Sequence, residues 1–111
     1  MKQFTTESGE TFEIRPLTAA ISDAASRNLA REGIVISASS PIHDNLEFQA
    51  EIIRLVLARW ELPDGSQPLM NLRPAKARQL IRETEGLETV FDAARKLAEE
   101  AGKARKIDLG N

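Results

Sequence analysis

The 111-residue chain contains no cysteine and a single histidine. A disulfide framework and a thiolate metal site are therefore excluded, and this cysteine usage fits a reducing cytoplasm. His43 has no second histidine or cysteine with which to form a zinc set, so it is expected to be a solvated residue of a first helical turn with no metal or catalytic role. No apolar run approaches the roughly 18 residues of a membrane span. The opening "MKQFTTESGE" lacks the apolar stretch of a signal peptide. Six glycines are scattered without forming a phosphate loop, and no serine or threonine stands in a nucleophile elbow. The carboxylates alternate with bases along helical faces and leave no evident acid–base pair. No enzyme, no cofactor and no membrane are expected.

What is present is ordinary for a globular domain: 41% hydrophobic residues, 29% charged residues and a formal net charge of −2. That length makes one domain with a modest core, and that charge exerts no global pull on nucleic acid or acidic lipid. The expected fold is mainly α: a short β-hairpin over residues 1–17, a body of about four helices over 18–102, and a mobile tail over 103–111.

The hairpin is read from residues 1–6 and 11–17, which flank "ESGE". Gly9 supplies the positive φ of the turn, and Phe12 and Ile14 alternate with Thr11, Glu13 and Arg15. Pro16 stops the strand, and Thr18 is a plausible N-cap. A first helix follows from about Ala19 to Glu32. Its stripe of Leu17, Ile21, Ala24, Ala25, Asn28 and Leu29 is made of small residues, and Gly33 ends it. "IVIS", residues 34–37, is either a buried extended link or a short strand.

The second helix begins at Ser40-Pro41 or at Asp44 with Glu47, and is expected to run to about Trp60, before the turn cluster "LPDGS". Glu47, Glu51, Arg54 and Glu61 share a narrow polar stripe. Leu46, Phe48, Ile52, Ile53, Leu55, Val56, Leu57 and Trp60 cover an apolar arc about twice the usual width. Either this is the central helix, or part of the arc meets another chain. Ile53 and Trp60 are expected in the core. Phe48, Leu55 and Arg59 lie together at one edge of the arc and are the candidate partner-binding residues.

A third helix starts near "NLRPAK", capped by Asn71 or Arg73 with Pro74 in its first turn, and ends near Gly86. A fourth runs from Leu87 to about Gly102, with Leu87, Val90, Phe91, Ala94, Leu97, Ala98 and Ala101 at helical spacing and Asp92 placed to pair with Lys96. Arg73, Lys76, Arg78 and Arg82 invite a helix-turn-helix reading. However, they do not share a face, and the helix after the turn opens with Glu88 and Asp92, which a phosphate backbone repels. They are taken as a solvated face, and no nucleic-acid partner is expected.

Two stretches carry a family likeness. "SGETFEIRPLT" resembles the start of phage tail assembly chaperones, with a glycine turn, an alternating strand and a "PLT" hand-off into a helix. "ELPDGSQPLMNLRPAKARQLI" is similar to that family's acidic-proline turn and "Leu-x-Pro" entry to a short helix, here Leu72, Pro74, Leu80 and Ile81. The resemblance implies a non-enzymatic protein of the host-cell cytoplasm that binds the tape-measure protein and keeps it soluble while the tail tube assembles, and that also recruits tail-tube subunits or associates with itself. It further implies a longer product made by frameshifting, for which Gly102-Lys103 is a dipeptide that a slippery heptamer can encode. The alternative expectations are a helical adaptor for one fixed partner and, behind it, a small DNA-binding regulator.

Overall fold

A computed structural model describes the backbone of residues 1–37 and 42–109, and the side chains of residues 1–37 and 45–102. The fold comprises β1 (Lys2–Thr5), β2 (Thr11–Ile14), α1 (Ala19–Arg31), α2 (Ile42–Val56), β3 (Leu57–Glu61), α3 (Pro74–Glu83) and α4 (Glu88–Leu109). It is a small mixed domain of four helices and one three-stranded antiparallel sheet, which corrects the mainly α expectation.

The correction comes from one segment. Residues 57–60 do not continue α2 but turn straight into β3, which pairs with β2 with Phe12 opposite Trp60 and Glu13 opposite Arg59. The physical reason lies forty residues upstream. The backbone N–H of Arg15 donates to the Val56 carbonyl at 2.8 Å, and its guanidinium Nη1 donates to the Leu55 carbonyl at 3.1 Å. Carbonyls at the end of α2 thus find their donors in the residue that follows β2, with a cation at the negative end of the helix. The hairpin is accordingly two-thirds of a sheet. Its inner face stacks Phe4 on Phe12 (ring centroids 5.3 Å apart) and Phe12 on Trp60 (6.0 Å).

Several local signals act as expected. Gly9 has φ +89° in the hairpin turn. Thr18 Oγ1 accepts from the Ile21 N–H at 3.3 Å as the N-cap of α1. At the other end Gly33 has φ +84°, its N–H donates to the Ala30 carbonyl, and the Ile34 N–H reaches the Leu29 carbonyl, the paired bonds of a Schellman stop. Residues 34–37 form no strand and make an irregular, partly exposed link. Residues 38–41, with the Ser40-Pro41 start signal, lie outside the described residues, as do the side chains of His43 and Asp44. Arg73 occupies the N-cap of α3 with Pro74 in its first turn, and its side chain makes no capping bond. α4 passes through Gly102 as far as Leu109, past the expected end of the fourth helix. One glycine costs a helix only about 1 kcal/mol, and the residues that follow it are good helix formers. The side chains of the expected tail lie outside the described residues. Asp92 pairs with Arg95 at 3.4 Å rather than with Lys96.

The core gathers Phe12 and Ile14 from β2, Ala25 from α1, Ile52, Ile53 and Val56 from α2, Trp60 from β3, Ile81 from α3, and Val90 and Ala94 from α4. α2 is the centre of the molecule and packs against α1, α3, α4 and β3. Its wide apolar arc is explained by that position: neighbours on several sides each require an apolar strip.

Candidate functional site

The two sides of the α2–α3 pair differ completely. On the side toward α1 the polar stripe of α2 is sealed in. Glu51 and Arg78 are fully buried, and Arg78 holds three carboxylates at once. Its Nε donates to Glu47 Oε2 at 2.9 Å, its Nη1 to Glu51 Oε1 at 3.2 Å, and its Nη2 to Glu32 Oε1. Glu51 also accepts from Asn28 Nδ2 at 2.8 Å, and from Arg54 through Nε at 2.7 Å and Nη2 at 2.6 Å. Arg82 closes the network on Glu47 at 2.8 Å. Burial alone would push the Glu51 carboxyl up. The bonds from Arg54, Asn28 and Arg78 outweigh it and hold the group below the ordinary glutamate value. Arg78, despite the opposing effect of burial, is held more firmly protonated by its three glutamates.

These groups satisfy one another around the fully buried Glu51 and Arg78, so the cluster is a structural joint between α1, α2 and α3. Its three glutamates precede Arg78 by 27 to 46 residues of sequence. Sequence reasoning took Arg78 for part of a solvated basic face, and this is corrected. With Arg78 buried and Arg82 paired to Glu47, α3 carries no continuous cationic surface.

On the opposite side α2, α3 and the start of α4 leave an open groove of about 400 Å³. Ala50 and Ile53 of α2, Ile81 of α3 and Leu87 form its buried apolar floor. Leu46 stands at its lip, 49% exposed, one of the few large apolar side chains so placed. Of the polar groups along the wall, Thr84 Oγ1 donates to the Leu80 carbonyl at 2.7 Å and Arg82 belongs to the network behind it; Gln49 and Glu88 complete the lining. Such a groove can take apolar side chains.

The candidate residues from the sequence are not brought together here. Phe48 and Leu55 are half-buried and pack against the core. Arg59 is not on a helix. It lies on the outer face of β3, paired with Glu61 and, at 3.9 Å, with Glu13. Ile53 and Trp60 are buried as expected. No single helical stripe reveals the groove, because its walls come from three places, α2, α3 and Leu87. The half-exposed Leu46 beside a buried i+4 and i+7 pair is the signal that points to it.

Among the described residues, no group of three or more His, Asp or Glu side chains could hold a metal ion, and no helix is long and apolar enough to cross a membrane. Known protein families, curated proteins and solved structures offer no match to this chain.

Proposed function

We propose that this chain is a protein-binding chaperone that holds an amphipathic helix of its client in the α2–α3–α4 groove. The observation that carries the reading is the groove of about 400 Å³ floored by Ala50, Ile53, Ile81 and Leu87, with a half-exposed Leu46 at its lip. Open apolar surface of this kind is unfavourable in water at about 25 cal/mol per Å² and is relieved when an apolar helix face covers it. The likeness of residues 8–18 and 61–81 to phage tail assembly chaperones names the client class: the tape-measure protein, whose long helices expose apolar stripes until the tail tube encloses them.

The test is co-expression with the tape-measure protein encoded in the same gene cluster. The client is expected to stay soluble with the unaltered chain and to precipitate with Leu46→Asp. A gene cluster with no tape-measure gene overturns the tail-assembly reading and leaves the helix-binding groove to be tested with other clients.

A further inference from the structure

We infer that Arg82 makes the groove selective among amphipathic helices, favouring one that carries a carboxylate beside its apolar stripe, a selectivity that rests on the helix-binding reading of the groove.

The wall of the groove has the length of a short helical contact. Leu46, Gln49, Ala50 and Ile53 follow one another along α2 at i, i+3, i+4 and i+7, so the wall they make is about 10 Å, or roughly two helical turns, long. A helix lying on it presents two or three apolar side chains at the same spacing. Any amphipathic helix meets that requirement, because apolar contact is non-directional. Discrimination between helices has to come from the polar part of the lining.

Two of those polar groups have local roles. Thr84 Oγ1 donates to the Leu80 carbonyl, and Glu88 stands in the first turn of α4, where an acidic side chain suits the positive end of the helix. Gln49 is neutral. Arg82 is the one cation of the lining among the described residues. Its side chain is 42% exposed, and its Nη2 lies 2.8 Å from Glu47 Oε1. Its Nε and Nη1 have no partner among the described residues. The tether itself is firm: Glu47 Oε2 accepts from Arg78 Nε at 2.9 Å, and Arg78 is held in turn by Glu51 and Glu32. The ionic joint therefore fixes one corner of the Arg82 guanidinium and leaves N–H donors at the margin of the groove. A guanidinium oriented in advance pairs with a carboxylate at a smaller loss of side-chain freedom than a loose one. A neutral amide on the client pairs less strongly, and a lysine is repelled.

The tether also sets where that carboxylate falls. α3 runs against α2 here: Arg78 bonds Glu51 and Glu47, and Arg82, one turn further on, reaches Glu47. Arg82 thus stands at the Leu46 end of the wall, and the client carboxylate belongs at that end of its apolar stripe.

The test uses the full chain and three designed amphipathic helical peptides. They share one leucine stripe and differ only in carrying Glu, Gln or Lys beside both ends of it, so that either direction of docking is covered. Binding is read by fluorescence anisotropy of the labelled peptide. The Glu peptide is expected to bind about fivefold more tightly than the Gln peptide, and the Lys peptide to bind least well. The differences are expected to shrink in high salt, and Arg82→Gln, shown by urea unfolding to be folded, to abolish them. The three peptides are compared on the unaltered chain, so the selectivity is decided even where Arg82→Gln weakens the ionic joint. Equal binding of all three, lost in Leu46→Asp, overturns the selectivity and leaves the groove. A preference for Glu that persists in Arg82→Gln overturns the role of Arg82. Failure of every peptide to bind overturns the groove and its selectivity together.

Discussion

α2 and α3 meet α1 on one side and the start of α4 on the other, and the two seams are built from opposite materials. The first sets three glutamates around the buried Arg78, each paired with that cation. The second is apolar and left open over about 400 Å³. Burying charge is costly, so a sealed ionic joint survives only where every group finds its partner, and such a joint has no capacity left for a ligand. Open apolar surface has the reverse character: it is tolerated in the isolated chain and gains by being covered. The difference makes one seam a source of stability and the other the proposed binding face.

The ionic seam breaks most severely through its centre. Arg78→Ala leaves Glu47 and Glu51 packed around a missing cation and is expected to cost about 3–5 kcal/mol, read from urea unfolding. Trp60→Ala, which removes the buried end of the aromatic stack from Phe4 through Phe12, is expected to cost a similar amount, about 3–5 kcal/mol. Acid sharpens the comparison without any substitution. The lowered pKa of Glu51 means that its contribution is complete above the ordinary value of 4.5 and is lost as pH falls through the lower folded value. The unfolding midpoint should therefore drop in the pH range below 4.5, and Glu51→Gln should flatten that drop at the price of a lower midpoint at neutral pH. On the apolar side, Leu46→Asp is expected to change stability by no more than about 0.5 kcal/mol, because the side chain already stands half in water.

The sequence made the local parts of this architecture readable. Gly9, Thr18, Gly33 and Pro74 each act through neighbours a few residues away, and each does in the fold what its residue type suggests. The junction at Val56 and Leu57 was hidden because no glycine or proline marks it. Leu57 and Trp60, three apart, fit a helical stripe as well as they fit one face of a bulged strand. What decides between them is Arg15, which supplies donors to the last carbonyls of α2 from across the sheet. The same limit hid the ionic seam. Glu51 and Arg54 were visible as a polar stripe, but that the stripe turns inward depends on Asn28 and Arg78, brought from α1 and α3. Arg59, placed by helical arithmetic beside Phe48 and Leu55, falls on the outer face of β3 for the same reason.

The most direct measurement of the division between the seams is the fraction of co-expressed tape-measure protein that stays in solution with the unaltered chain and with Leu46→Asp, each variant first shown to unfold at the same urea concentration. The account predicts that the unaltered chain keeps the client in solution and that Leu46→Asp loses most of that effect with its own fold intact. Equal protection by both chains would contradict it and remove the groove as the client-binding face.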